Sequence, residues 1–337
     1  MRKTKIFGAL ITLLACIGLA SCGETPTTGE ITTEEAPTFK IGILQPVEHA
    51  ALGAARLGFI DKLEELGIKV DINYQNANGV EADLNTLAKN LVGSSDLTLG
   101  IGTGASQSLQ AAALNLGSDK PILFTAVTDA VEAHLVESNE HPGGHITGTS
   151  DRNPVAAQID LIKECLPDAT KIGILYTASE INSEVQANEA RAEAEAQGLQ
   201  VEIATCTDSS DINSVVNNLC GTKNIDALYI PTDNNVAANM TPVKNALENY
   251  HILGVAGEEG LLIGGAHVTL SVSYTELGKL TGVMAKEILV DGKSPADIPV
   301  KQMSKEDCAY VMSSANLAAA GITLPAEVLA KFTDIND

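Results

Sequence analysis

The chain has 337 residues, of which 45% are hydrophobic and 19% charged, and its formal net charge is −22. This length suffices for two domains, and an acidic chain without a basic patch is not expected to bind nucleic acid. Six cysteines in so long a chain do not make a disulfide scaffold.

The N-terminus combines three basic residues within positions 1–5, an apolar run over 6–19 and small residues before Cys22. This pattern is typical of a secretory signal, and the run is shorter than the roughly 20 apolar residues of a membrane span. Leu19-Ala20-Ser21-Cys22 resembles the lipobox of bacterial lipoproteins. The resemblance implies a signal peptide over 1–21, a lipid such as palmitate on Cys22, and an extracytoplasmic protein anchored to the cell membrane.

The segment after Cys22 is polar. Residues 23–37 read GETPTTGEITTEEAP and contain almost nothing apolar. We therefore expect a disordered, lipid-anchored tether over 22–38.

The remaining chain repeats itself. KIGIL begins at Lys40 and again at Lys171, and each copy precedes a helical pattern that ends in a glycine, Gly67 or Gly198. A second strand, a second helix and a third strand follow in both halves at the same spacing. Strands that alternate with helices favour a parallel sheet with helices on both faces. The sequence therefore predicts an α/β protein with two doubly wound parallel-sheet lobes.

Three segments are expected to connect the lobes. Residues 145–150 and 267–273 are similar extended stretches, a third crossing is placed near 301–309, and the helix over 274–290 returns to the first lobe. The predicted boundaries are 39–148 plus 274–302 for lobe I and 149–271 plus 303–337 for lobe II.

Doubly wound sheets bind ligands beyond the carboxyl ends of their strands, so two facing lobes would share one cleft. The side chains at these ends are mostly hydroxyls, amides and acids. The candidate ligand-binding residues are Gln45, Thr103, Gly104, Ala105, Ser106, Thr125, Ala126, Thr128, Asp129, Tyr176, Ser179, Glu180, Asn182, Ser183, Asp233, Asn234 and Glu258.

Nothing in this set predicts an enzyme or a cofactor. Gly100-Ile-Gly-Thr-Gly104 has neither dinucleotide nor P-loop spacing, and no G-x-S-x-G motif occurs. His141 and His145 are separated by Pro-Gly-Gly, which prevents the helix that would align them on a metal. We expect no catalytic residue, no metal and no cofactor. A Cys206–Cys220 bridge is conceivable, but buried free thiols are favoured.

Five segments carry a family resemblance. They are VEHAALGAARLGFID (47–61), ILFTAVTDAV (122–131), HPGGHITGTSD (141–151), IPTDNNVA (230–237) and YTELGKLTG (274–282). With the lipobox and the two lobes, they resemble the solute-binding lipoproteins of ABC importers, in particular the tryptophan- and tyrosine-binding group. The resemblance covers nearly all of 40–337. Gly53, Ala130 and His145 depart from the family pattern, which has Asp, Pro and Asn there.

The resemblance implies a type I periplasmic-binding-protein fold. It also implies a monomer without a cofactor that captures an amino acid, aromatic or of similar size, by hinge closure and delivers it to an ABC permease with its ATPase. A surface adhesin or a sensory binding protein is the alternative. Only 3% of residues are aromatic, which leaves a smaller ligand open.

A zwitterionic ligand needs donors for its carboxylate and an acid for its ammonium. The helix that opens at Thr103 to Ser106 offers free N–H groups, and Thr125 and Thr128 add hydroxyls. Asp129, Asp233 or Glu258 could hold the ammonium. We expect Asp233 to do so, because a strand-end acid before a helix points into the cleft.

Overall fold

The computed structural model describes residues 37–336. The signal peptide, Cys22 and all but the end of the tether therefore lie outside the described residues. None of the helices in the described range is both long and apolar enough to cross a membrane.

The first half of the chain alternates strands and helices. Its elements are β1 (Phe39–Gln45), α1 (Ala50–Glu65), β2 (Val70–Asn76), α2 (Glu81–Ser94), β3 (Leu97–Ile101), α3 (Thr103–Leu116), β4 (Ile122–Thr125) and β5 (Ile146–Ser150).

The second half repeats the alternation and then adds a C-terminal part. Its elements are α4 (Val155–Cys165), β6 (Lys171–Thr177), α5 (Ile181–Ala196), β7 (Gln200–Cys206), α6 (Ile212–Thr222), β8 (Ala227–Ile230), α7 (Asn234–Ala238), α8 (Met240–Tyr250), β9 (Leu253–Ala256), α9 (Glu259–Gly264), β10 (Val268–Ser271), α10 (Tyr274–Leu289), β11 (Lys301–Gln302), β12 (Ala309–Met312), α11 (Ser314–Ala320), α12 (Ala326–Leu329) and β13 (Thr333–Asp334).

The strands form two sheets, one in each lobe. The first has the order β11-β5-β4-β3-β1-β2 and is parallel, and the second has the order β13-β12-β10-β9-β8-β6-β7. In the second sheet β12 runs antiparallel to β10. The predicted pair of doubly wound lobes is confirmed, with this antiparallel strand as a departure from a purely parallel sheet.

The repeated KIGIL motif shows why each sheet needs helices on both faces. Ile41 and Ile43 belong to one hydrophobic cluster and Leu44 to another, on the opposite face. In the second lobe Ile174 and Leu175 divide in the same way. A strand that is apolar on both faces is stable only between two layers of helices, which is the doubly wound arrangement.

Helix α10 packs against α1 of the first lobe, and glycines permit the close approach. A Cβ atom on Gly278 would lie 2.0 Å from the carbonyl oxygen of Ala55, and one on Gly58 would lie 2.2 Å from that of Thr275. The backbones can approach this closely only because both positions lack a side chain.

The chain passes from one sheet to the other over 151–154, 272–273 and 303–308. Hydrogen bonds tie the first two crossings together. Tyr274 donates its hydroxyl to Asp151 Oδ2 at 2.6 Å, and the Val272 amide donates to Asn153 Oδ1 at 3.0 Å. These side chains place the crossings side by side, as a hinge between the lobes requires.

The cysteines of the described range are free thiols. Cys165, Cys206 and Cys220 are buried, whereas Cys308 is only half-buried. The expectation of buried free thiols therefore holds for three of the four.

Candidate ligand-binding cleft

A cavity of about 930 Å³ lies between the lobes at the carboxyl ends of their strands. The loops after β1, β2 and β3 line one wall, where Glu48, Asn78 and Thr103 lie. The loops after β6 and β8 line the other wall, with Glu180 and Asn234. The volume is in the range that small-molecule sites occupy, roughly 300–1,000 Å³.

Six of the predicted residues line this cavity directly. They are Thr103, Gly104, Ser179, Glu180, Asn182 and Asn234. Helix α3 begins at the cavity wall, and its N-cap residue, Gly102, supplies no side-chain cap. Its φ of 84° suits a glycine. The first N–H groups of α3 are therefore open to an anion in the cleft.

Several other predicted residues lie behind the wall and shape its loops. The Gln45 amide donates to the Val47 carbonyl at 2.9 Å and to Glu48 Oε2 at 3.0 Å. Ser106 donates to the Gly102 carbonyl at 2.8 Å. The remaining members of this set are Ala105, Thr125, Ala126 and Ser183, all buried.

Thr128 and Asp129 lie beside the hinge. Thr128 donates to Asp151 Oδ1 at 3.0 Å. The Asp129 carboxylate accepts from two amides of the following turn, at 3.1 Å each, and pairs with Arg152 at 3.0 Å. Both Asp129 oxygens are thus engaged within the protein.

Tyr176 lies away from the cleft. Its ring packs against the hydrophobic cluster of α4, α5 and β6, because successive side chains of a strand point to opposite faces. Its neighbour Thr177 lines the cavity instead. Phe124 is part of the core, and no aromatic side chain is among the described residues that line the cavity.

Asp233 is the N-cap residue of α7, and its carboxylate accepts hydrogen bonds from the protein itself. Its oxygens accept from the Val236 amide at 2.9 Å, the Thr177 amide at 2.6 Å and the Thr177 hydroxyl at 2.9 Å. Burial raises the pKa of this carboxyl, while these donors oppose the rise. Both oxygens therefore have partners within the protein.

Glu180 lines the second-lobe wall of the cavity, close to Asp233. Its carboxylate accepts from the amides of Asn234 and Asn235 at 3.0 and 2.8 Å and from the Asn234 side chain at 2.8 Å. Burial, together with the negative charge of Asp233, raises the pKa of Glu180 to about 7. The residue fixes the orientation of the Asn234 amide at the cleft.

Glu258 and His49 both lie close to Gly260, at the start of α9. Glu258 is fully buried and caps α9, accepting from the amides of Gly260 and Leu261. Burial raises the pKa of Glu258 to about 8 and lowers that of His49 to about 4. His49 was not among the selected candidates, although its position between the end of β1 and the start of α1 could have pointed to it.

The site is acidic. The described residues that line the cavity include Glu48, Glu81, Glu180 and Asp208 but no lysine, arginine or histidine. Among residues 37–336, no group of three or more His, Cys, Asp or Glu side chains is arranged to hold a metal. A ligand carboxylate could therefore be bound here by backbone and hydroxyl donors, and a ligand cation by the acids.

Proteins of known structure share this architecture. An ABC domain from Streptococcus pneumoniae, solved in complex with L-Trp, is 33% identical, has a TM-score of 0.82 and covers 88% of this chain and 99% of its own. A conserved domain protein from Vibrio cholerae has a TM-score of 0.83 at 31% identity over the same shares. Both support the type I periplasmic-binding-protein fold.

The lobes adopt the closed arrangement. The ligand-free, open structure of a Clostridium difficile substrate-binding protein with adhesive properties is 36% identical over the same 88% of this chain, yet its TM-score is only 0.66. The lower score at a similar identity is what a different angle between the lobes would produce. Hydrogen bonds from His49 to Asn234 at 3.2 Å and from Gln186 to Thr128 at 3.4 Å join the two walls accordingly.

Sequence comparisons agree with the fold. A tyrosine-binding protein of Clostridioides difficile is 37% identical over 280 residues, which are 82% of this chain and 79% of that protein. The family described as ABC transporter substrate binding protein matches residues 40–335. The chain therefore belongs to the ABC transporter substrate-binding proteins, a solute-binding family and not a family of enzymes.

Proposed function

We propose that this protein is an extracytoplasmic lipoprotein that captures an aromatic amino acid, tryptophan or tyrosine, between its lobes. It delivers this ligand, as a monomer, to an ABC permease with its ATPase. The observation that carries the proposal is the closed cleft, whose lobes are arranged as in the relative solved with L-Trp. Substrate-binding proteins of ABC transporters act outside the cytoplasm.

The ligand carboxylate is assigned to the N-terminus of α3. Thr103 and Gly104 line the cavity there, and the helix has no side-chain cap to compete with a ligand. Free N–H groups and the helix dipole both favour an anion at this point. Because no basic side chain lines the cavity in the described part of the chain, these groups replace the arginine that many carboxylate sites use.

The side chain of the ligand is assigned to the apolar part of the same cavity. Val47, Val80 and Leu84 lie on the first lobe and Ile181 and Ala238 on the second. These groups can cover an indole or phenol ring by aliphatic contacts alone. A ring held this way contacts both lobes and so stabilises the closed state.

Calorimetric titration of the purified protein with L-tryptophan and L-tyrosine tests the proposal, with L-glutamate and L-lysine as controls. We expect one-site binding of an aromatic amino acid and none of L-glutamate. Gly104→Asp should weaken binding at least about tenfold relative to Gly104→Asn, since it places an anion at the carboxylate site. A Cβ atom at Gly104 meets only Leu84, at 3.9 Å, so both variants should fold. Equal affinities of the two variants would contradict the carboxylate assignment.

Anchoring is proposed through Cys22, after removal of residues 1–21. The support is the motif Leu19-Ala20-Ser21-Cys22 at the end of the signal pattern. An alkyne-labelled palmitate fed to cells should label the wild-type protein and not Cys22→Ala, which should be recovered in soluble form with unchanged ligand affinity. Membrane association and labelling of Cys22→Ala would contradict lipidation at this residue.

Adhesion is a second candidate function, favoured by the relative with adhesive properties at 36% identity. The two functions predict different effects of Gly104→Asp. Import through the cleft should be lost with ligand binding, whereas adhesion through an outer surface should be unchanged in a cell-attachment assay.

A further inference from the structure

Three charged side chains join the two lobes at the first crossing. Arg152 lies in this crossing, and its Nη1 atom donates to Asp129 Oδ2 at 3.0 Å, in the loop after β4 of the first lobe. Its Nη2 atom donates to Glu189 Oε2 at 2.9 Å, on α5 of the second lobe. A planar guanidinium can bind two carboxylates in this way, because its N–H groups diverge in fixed directions. None of the three is among the described residues that line the cavity, so the bridge lies outside the ligand site.

A second contact between the lobes lies beside this bridge. The Gln186 side chain of α5 donates to the Thr128 hydroxyl at 3.4 Å, and both residues are buried. Thr128 precedes Asp129 in the chain, and positions 186 and 189 are three apart on α5, so they share one face of the helix. The side chain of Arg152 is 36% exposed and that of Glu189 38%. One face of α5 therefore contacts the first lobe through a buried hydrogen bond and a more exposed ion pair.

The backbone of Arg152 is fixed to the first lobe. Its amide donates to the Ser150 hydroxyl of β5 at 3.2 Å, and its carbonyl accepts from the Gln302 side chain of β11 at 3.3 Å. The Asp129 carboxylate is fixed as well, since its other oxygen accepts from two amides of its own turn. Opening of the cleft carries α5 away from this lobe. We therefore expect opening to break the pair of Arg152 with Glu189 and to leave its pair with Asp129 intact.

Helix α5 also forms part of the cavity wall. Asn182 lies in its first turn and lines the cavity, and the Asn182 carbonyl accepts from the Gln186 side chain at 3.1 Å. The same helix thus faces the cavity at its first turn and the first lobe over the next two turns. A change at Glu189 would therefore act on ligand capture through the position of α5, without any contact to the ligand.

We infer that Arg152 is a positioning residue for closure, whose pair with Glu189 forms when the lobes close and raises ligand affinity from outside the cavity. This inference rests on the proposed function, since it takes closure to accompany ligand capture. Arg152 has a second effect, because its charge lies between the carboxylates of Asp129 and Glu189. Without the guanidinium, closure would bring two negative charges together, and like charges at short distance repel each other.

Calorimetric titration with L-tryptophan and with L-tyrosine tests the role of Arg152 in the wild type, Glu189→Gln, Arg152→Gln and the double variant. Glu189→Gln should raise Kd about two- to fivefold, as expected for a partly exposed ion pair. Arg152→Gln should raise Kd further, since Asp129 and Glu189 then face each other without a cation. The double variant should bind more tightly than Arg152→Gln alone, because it removes this repulsion.

Glu164→Gln is the matched control. Glu164 pairs with Lys331 at 2.9 Å within the second lobe, and its side chain is 36% exposed, close to the value for Glu189. Because this pair does not cross between the lobes, its loss should leave Kd unchanged. Salt gives a second readout that a merely structural role would not change. The ratio of Kd between Glu189→Gln and the wild type should approach one as NaCl rises from about 0.05 M to about 1 M.

Two results would overturn the role of Arg152 alone, in variants with wild-type circular dichroism. One is a double variant that binds no more tightly than Arg152→Gln. The other is an equal effect of Glu189→Gln and Glu164→Gln on Kd. A wild type that binds neither L-tryptophan nor L-tyrosine would overturn the proposed function and this role with it.

Discussion

His49 Nε2 and Asn234 Oδ1 lie 3.2 Å apart and connect the loop after β1 of the first lobe to the start of α7 in the second. The two residues belong to different lobes, so we expect opening of the cleft to break this contact. Asn234 also donates its side-chain nitrogen to Glu180, and this bond turns the Asn234 oxygen toward Nε2 of His49. A ligand that orders either partner would favour closure.

Asn234→Ala should weaken ligand binding by removing this contact from the closed state. The expected loss is about 1 kcal/mol, or roughly fivefold in Kd, which is the usual value of one hydrogen bond. Calorimetric titration measures it. Asn217→Ala is the matched control, because the Asn217 side chain bonds only within α6. An equal effect of the two substitutions would argue against a role of Asn234 in closure.

Asp233→Ala should reduce stability more than affinity. The substitution removes the cap of α7 and leaves the buried amides of Thr177 and Val236 without their acceptor. We expect the free energy of unfolding to fall by about 1–3 kcal/mol. Denaturant titration with and without ligand separates the two effects. A stable variant that no longer binds amino acids would instead support Asp233 as the ammonium partner.

Gly278→Ala should destabilise the first lobe. Its new methyl group would overlap the carbonyl oxygen of Ala55, and forcing α10 away from α1 costs about 1–3 kcal/mol. Gly93→Ala is the matched control in α2, where nothing lies within 4 Å of the new methyl group and helix propensity favours alanine by about 0.5–1 kcal/mol. The midpoint temperature of thermal unfolding should fall in Gly278→Ala and rise in Gly93→Ala. Shifts of both midpoints in the same direction would refute the close approach of the helices.

Ligand affinity should fall as the pH falls below about 6.5. Burial in the closed form lowers the pKa of His49 from 6.5 to about 4. At a pH at which His49 is protonated in the open form, closure must release that proton. Acid therefore favours the open form. Kd should be about tenfold higher at pH 5.5 than at pH 7.5.

Glu258 should not reverse this trend. Burial raises its pKa to about 8, but the two backbone amides from which it accepts belong to its own helix, α9. Glu258 keeps these partners whether the cleft is open or closed, so we expect it to add little slope between pH 5.5 and 7.5. His49→Gln should flatten the profile, and a wild-type Kd that is equal at both pH values would contradict the role of His49.

The fold was predictable from the sequence because the repeat is explicit. KIGIL at Lys40 and Lys171 starts a buried strand in both lobes, and Gly67 and Gly198 follow their helices with positive φ, as C-terminal glycines do. The antiparallel strand β12 was not predictable, since a four-residue strand of mixed burial leaves little pattern.

The site was predictable only in outline. Strand ends identified Thr103, Glu180 and Asn234, which line the cavity. The alternation of side chains along β6 places the Tyr176 ring in the core and Thr177 at the cleft, so the prediction of Tyr176 as a ligand contact is one residue off. The sequence also does not show which acidic side chains already accept hydrogen bonds within the protein. Only the hydrogen bonds reveal that Asp233 caps a helix while the Nδ1 atom of His49 lacks a partner.

Small-angle X-ray scattering of the purified protein with and without L-tryptophan and L-tyrosine tests the central claim most directly. The account predicts that the ligand-free protein is open and that an aromatic amino acid reduces its radius of gyration toward the value calculated for the closed structure. A radius of gyration that stays unchanged at saturating ligand would contradict capture by lobe closure.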